Sequence, residues 1–136
     1  MSLENDKVLV IGGTSGFGKE VAIKAQHRKA EVYVIGRDQA RVNEVRYDDD
    51  IQGSSLDAQD PKQLTRFFEK YGSFDHIVSM LGGAMGGGFL DSSMDEIRKA
   101  IEDKFFANLQ LVQIASKNLR KNGSIILTSG SGGHPY

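Results

Sequence analysis

Glycines at 12, 16 and 18, set in Val10-Ile11-Gly12-Gly13-Thr14-Ser15-Gly16-Phe17-Gly18-Lys19-Glu20, join an apolar run to an amphipathic segment. The chemistry such a join can do is to hold a phosphate. The chain must turn sharply out of a strand, bring its backbone close to phosphate oxygens and seat the next helix tightly on a sheet, and each step favours glycine. Unpaired N–H groups of the first helical turn and the positive end of the helix dipole then face the anion. Residues 7–11 read as a strand, and Val21, Ala22 and Ala25 as one helical face, which makes this a strand-to-helix join. Gly12, Thr14, Ser15, Gly16, Phe17 and Gly18 are therefore candidate contacts to a nucleotide cofactor.

The spacing separates kinds of nucleotide loop. From Gly12 it reads Gly-x-x-x-Gly-x-Gly, not the dinucleotide fingerprint Gly-x-Gly-x-x-Gly. Residues 13–19 also fit the opening of the phosphate loop Gly-x-x-x-x-Gly-Lys-[Ser/Thr], but Glu20 stands where a hydroxyl must bind magnesium. A carboxylate there would repel phosphate. Residues 124–128 run into Ser129 and Gly130, with no metal-binding Asp at a strand end, so an NTPase ranks second.

A chain of 136 residues is one domain's worth of polypeptide, able to bury roughly two thirds of its unfolded surface. It has no cysteine, and His27, His76 and His134 are scattered. Disulfides and thiolate metal sites are excluded, no metal site is expected, and a cytoplasmic compartment is the expectation. A formal charge of −1 with interspersed signs provides no basic field for nucleic acid or anionic lipid. No apolar run reaches the length of a membrane span or signal peptide, so no membrane partner is expected.

Strands and helices alternate, which predicts a parallel sheet with helices on both faces. Strands are expected over residues 7–11, 31–35, 51–54, 76–80 and 124–128, mostly as apolar runs suited to burial on both sides. Asp60-Pro61 opens a helix in which Gln63 can reach back and Leu64, Phe67, Phe68 and Tyr71 face the sheet,. A capping box, Ser93-Met94-Asp95-Glu96, opens a long helix expected to reach Lys121 and to stop at Asn122-Gly123,. Its main stripe is Ile97, Ile101, Phe105, Asn108, Val112, Ala115 and Leu119, and a second line runs through Ala100, Ala107, Leu111 and Ile114. Asn108 is polar on an apolar face, which costs about 1 to 3 kcal/mol unless it is hydrogen-bonded.

Over about residues 7–130 the chain resembles the short-chain dehydrogenase/reductase family, Rossmann-fold enzymes that use NAD or NADP. The family fingerprint Thr-Gly-x-x-x-Gly-x-Gly appears with Ile11 for the threonine and Gly12, Gly16 and Gly18 kept. Leu56-Asp57 is similar to the family's acidic contact to adenine, with a turn or N-cap Asp as the competing explanation. The family's Asn-Asn-Ala-Gly appears as Ser79-Met80-Leu81-Gly82, with Leu81 and Gly82 as cofactor contacts. At the end of the second strand, Gly36 takes the family's usual acidic position and Arg37 follows. A guanidinium there pairs with the 2'-phosphate of NADP, whereas a carboxylate would bind the ribose hydroxyls of NAD. The resemblance thus implies NADP ahead of NAD.

The resemblance also implies a doubly wound α/β sheet of five strands in order 3-2-1-4-5, one dinucleotide-binding domain over residues 1–136 that lacks the family's last strands. Asn108 matches its proton-relay asparagine, which holds a water and a catalytic lysine. Of the serines at the end of the fifth strand, Ser129 is the first choice to polarise a substrate carbonyl and Ser131 the alternative, because Gly130 takes the usual position. The family's acid, the tyrosine of Tyr-x-x-x-Lys, has no counterpart: Tyr136 is too close to Ser129. The expectation is an NADP-dependent oxidoreductase acting on a small carbonyl or alcohol substrate, represented by its cofactor half and inactive alone. A silent nucleotide-binding or regulatory module is the alternative. A homo-oligomer is expected through the second line of the long helix, which in the family packs on a partner subunit.

Overall fold

The computed structural model describes residues 2–81 and 89–128. Five parallel strands, β1 (Lys7–Ile11), β2 (Glu31–Gly36), β3 (Gln52–Ser55), β4 (Phe74–Ser79) and β5 (Leu119–Leu127), lie in the order β3-β2-β1-β4-β5. The expected strand order and fold class are thus observed. Alternate residues explain the apolar runs. Val8, Val10, Val32 and Val34 point to one face, under α1 (Gly16–His27) and α2 (Gln39–Asp48). Leu9, Ile11, Tyr33 and Ile35 point to the other, under α3 (Pro61–Tyr71) and α5 (Ala107–Ala115). The order reverses between β1 and β4, so the loops leaving their carboxyl ends diverge and open a crevice.

The third helix follows its sequence signals. Asp60 accepts the Lys62 N–H at 2.9 Å and Pro61 takes the first turn. Gln63 donates to Asp60 and accepts the Asp57 N–H, which ties the helix start to the loop after β3. Leu64, Phe67 and Phe68 are buried, and Phe67 and Phe68 meet Phe74 and Tyr71 in an aromatic cluster. That cluster draws Phe74 into β4, which therefore starts before the expected residue 76.

The long helix departs from expectation. Its capping box is present: Ser93 Oγ accepts the Glu96 N–H at 3.1 Å, and the Ser93 N–H donates to Glu96 Oε2 at 3.2 Å. The run then divides into α4 (Met94–Ile101), a π turn (Glu102–Phe106), α5 and a 3₁₀ turn (Ser116–Asn118), and β5 starts at Leu119. Asn122-Gly123 is not a helix stop. Leu119 pairs with Phe74 and Ser124 with His76, so residues 120–123 stand against Asp75 alone as a bulge. Asn122 carries the left-handed φ of 66° there, the same conformation a helix stop would need. Asp75 anchors the bulge by accepting Arg120 Nη1 at 2.9 Å and the Lys7 N–H at 2.7 Å.

The π turn also shifts the helical phase, because its wider turn carries an extra residue. The residues buried beyond it are Ala107, Asn108, Leu111 and Ala115, with Ile114 packed on the same core. Ile101 and Phe105 of the expected main stripe are 45% and 58% exposed. The second line is therefore largely the sheet-facing one, which corrects its expected place at a subunit interface. The outward apolar face is instead Ile101, Phe105, Phe106 and Leu109.

Candidate functional site

The glycine loop takes its shape from β1 and β2. Gly12 has φ +84°, and its N–H donates to Ile35 O at 2.8 Å, with the Gly13 N–H reaching the same oxygen at 3.4 Å. Gly18 seats α1 on the strand end so closely that a β-carbon there would lie 2.1 Å from Gly12 O. Gly16 is different: its φ is +56° and a β-carbon would meet nothing within 4 Å. A side chain at Gly16 would thus enter open space beside the first turn of α1. Ser15, the N-cap, makes no capping hydrogen bond with its side chain, which leaves its hydroxyl for a ligand.

A cleft of about 260 Å³ opens at the carboxyl edge of the sheet. The loop after β1 lends it Gly12, Thr14 and Ser15, and the end of β2 lends Gly36, Arg37, Asp38 and Arg41. Leu56, Asp57, Ala58 and Gln59 follow from β3, and Met80 and Leu81 from β4. The sequence-expected Gly12, Thr14, Ser15, Arg37, Asp57 and Leu81 are thus brought together. Gly16 and Phe17 line a separate groove on the outer side of α1, Phe17 at 85% exposure, and Gly18 is buried in the join. Gly82, Ser129 and Ser131 lie outside the described residues.

Polar groups in the cleft divide into committed and uncommitted ones. Asp38 caps α2 by accepting the Ala40 N–H at 2.9 Å and lies 3.8 Å from Arg41 Nε. Both partners are more than half exposed, so that pair is weak and Arg41 can be recruited by a stronger anion. Asp57 accepts the Gln59 N–H at 3.0 Å in a local turn, the turn role that competes with an adenine contact. Arg37 is exposed, and its guanidinium makes no ion pair among the described residues. Ile11, Ile35, Leu56 and Ala58 supply apolar surface. Two guanidiniums, apolar walls and the loop before α1 could hold a dinucleotide,.

A second unit sits where β4, β5 and the helix converge. Ser79 is fully buried and donates to Asn108 Oδ1 at 2.7 Å. Asn108 Nδ2 donates to Lys104 O at 2.6 Å and Leu81 O at 3.3 Å. The polar residue on the apolar face is thus satisfied, partly by a carbonyl of its own helix, and it fixes the backbone of the π turn. Ser79 O accepts both the N–H and the hydroxyl of Thr128, and Lys104 Nζ lies 3.5 Å from Thr128 Oγ1.

Arg41, Ser79 and Lys104 belong to these two units without being marked as functional by any sequence motif. Arg41 had a signal, a basic residue one turn into the helix capped by Asp38. Lys104 had none, since the π turn that aims it is set by tertiary packing, and Ser79, which stands where the family's Asn-Asn-Ala-Gly begins, joins the unit through its bond to Asn108. Among the described residues, no three His, Cys, Asp or Glu side chains converge as a metal site, and no helix is long and apolar enough to cross a membrane.

Comparison with known proteins supplies the lineage. A family model described as short chain dehydrogenase matches residues 6–136. The short-chain dehydrogenase/reductase fsr5 of Gibberella fujikuroi is 32% identical, over 96% of this chain and 56% of that protein. A 3alpha-hydroxysteroid dehydrogenase of Mediterraneibacter gnavus is 27% identical, over 96% and 57%. A short-chain dehydrogenase/reductase from Mycobacterium ulcerans superposes with a TM-score of 0.83 at 19% identity, over 93% of this chain and 52% of its own, which bears on the fold alone. The chain spans about half the length of the curated relatives it matches.

Proposed function

The chain belongs to the short-chain dehydrogenase/reductase family, and from that premise we propose that it is the cofactor-binding part of an NADP-dependent oxidoreductase. Its reaction moves hydride between nicotinamide and a carbonyl or alcohol substrate. The observation that carries the cofactor reading is the end of β2, where Gly36 offers no carboxylate and Arg37 and Arg41 line the same cleft. A charge-assisted pair with a 2'-phosphate contributes about 1.5 to 3 kcal/mol, or roughly tenfold or more in affinity.

When bound, the nicotinamide supplies or accepts the hydride. The residues of this chain bind and orient it. Amides at the start of α1 take the pyrophosphate, Ile35, Leu56 and Ala58 flank the adenine, and Arg37 and Arg41 hold the 2'-phosphate. Ser129, with Ser131 as the alternative, polarises the substrate carbonyl. Asn108 acts through the π-turn backbone it fixes, because its amide hydrogens are committed to Lys104 O and Leu81 O. The name of one relative, a 3alpha-hydroxysteroid dehydrogenase, supports an alcohol and carbonyl pair as the substrate class. Assembly as a homo-oligomer follows the family, with the outward face of Ile101, Phe105, Phe106 and Leu109 as the contact.

Titration of the protein with NADPH and NADH, followed by nicotinamide fluorescence at fixed ionic strength, tests the reading. NADPH should bind at least roughly tenfold more tightly, and Arg37→Ala should remove most of that preference. Equal affinities would overturn it.

A further inference from the structure

Gly36 ends β2 face to face with Thr14. A β-carbon built at Gly36 would lie 2.6 Å from Thr14 Cγ2, 2.8 Å from Oγ1 and 3.3 Å from Cβ. Contacts this short must be relieved before any side chain can stand at position 36.

Thr14 has no rotamer that relieves them. Its Cβ carries two heavy atoms among three staggered positions, and two of those positions face Gly36. Two atoms cannot avoid two of three places, so every rotamer keeps at least one heavy atom against residue 36. Backbone retreat is also blocked. Gly12 and Gly13 both donate to Ile35 O, and Gly13 has no room of its own, since a β-carbon there would lie 2.7 Å from Val34 Cγ1 and 3.0 Å from Val10 O.

From this we infer that Thr14 is a specificity-determining residue for the nucleotide: it fills the room of the residue-36 side chain and so shuts out the carboxylate that would hold the ribose hydroxyls of a nucleotide lacking the 2'-phosphate. The other carboxylate at this strand end, Asp38, is engaged as the cap of α2 by the Ala40 N–H, which leaves Arg37 to meet the ribose. The inference rests on the proposed NADP preference for which nucleotide is favoured. The steric coupling of positions 14 and 36 does not depend on it.

A double-mutant cycle on the full chain tests this, with Thr14→Ala, Gly36→Asp and their combination titrated with NADH and NADPH and melted without nucleotide. Gly36→Asp alone should lower the melting temperature and weaken both nucleotides by roughly tenfold. Adding Thr14→Ala should restore NADH binding by roughly tenfold over that single variant, a non-additive gain, and should turn the nucleotide ratio toward NADH. Gly36→Ala, which adds only a methyl, should lower the melting temperature in the Thr14 protein and recover much of it beside Thr14→Ala. Additive effects at the two positions, or a Gly36→Asp protein that binds NADH more tightly than the parent with an unchanged melting temperature, would overturn the inference. Equal binding of NADPH and NADH by the parent would sink the NADP preference, yet leave the coupling between positions 14 and 36 measurable in the cycle.

Discussion

Gly16 and Gly18 reject side chains for different reasons, and the difference can be measured. At Gly18 a β-carbon would collide with the Gly12 carbonyl at 2.1 Å, so Gly18→Ala must lift α1 off the strand. That should cost about 1 to 3 kcal/mol and lower the melting temperature by several degrees. At Gly16 a side chain enters open space, and only its φ of +56° is strained, a cost of roughly 1 to 2 kcal/mol. Gly16→Val should therefore stay folded by circular dichroism while nucleotide binding disappears. Retained affinity would contradict the phosphate-loop assignment. Ser79 poses the complementary case of a buried hydroxyl. Ser79→Ala leaves Asn108 Oδ1 without its donor in a buried site, which should cost about 1 to 3 kcal/mol in urea unfolding. A neutral result would mean that another group reaches that oxygen.

At the scale of elements, the parts read correctly from sequence are those whose signals are local. The first four strands and the third helix carry their patterns within a few residues, and the capping box of Ser93 and Glu96 formed as written. Asp60 at the start of α3 shows the same locality in its protonation. The Gln63 amide, and then the Lys62 N–H, hold its carboxyl below the usual carboxylate range. A group whose folded value is depressed contributes stability above its unfolded value, near pH 4, and loses it as pH falls through the folded value. The melting temperature should thus decline below about pH 4, and Asp60→Asn should flatten part of that decline while keeping the cap. An unchanged acid slope in the variant would remove this role. What sequence concealed was non-local. One π turn re-phased the helix, so a stripe counted at helical spacing from Ile97 pointed Ile101 and Phe105 outward. Asn122-Gly123 carried a left-handed signal that suits a helix stop and a strand bulge equally, and Asp75, distant in sequence, chose the bulge. Arg37 was legible because its place follows from the end of β2, whereas the Thr14 and Gly36 contact needed the loop and the strand in one frame.

At the scale of the whole molecule, the described chain presents apolar surface that no part of it covers. Ile101, Phe105, Phe106 and Leu109 form one face, and Ile126 and Leu127 on β5 are 51% and 44% exposed. Among the described residues β5 pairs only with β4, so it also leaves strand hydrogen-bonding groups for another chain. Apolar surface gathered in this way favours association. The 136-residue chain should self-associate with rising concentration, and light scattering should report a dimer or larger species. Phe105→Glu should shift the equilibrium toward monomer with little change in melting temperature, since the ring already lies largely in solvent. Leu111→Lys should instead unfold the protein, because Leu111 is fully buried against the sheet and an unpaired charge there has no partner. The two substitutions separate surface from core on neighbouring turns of one helix. A chain that remains monomeric at high concentration, unaffected by Phe105→Glu, would show that this face does not mediate association.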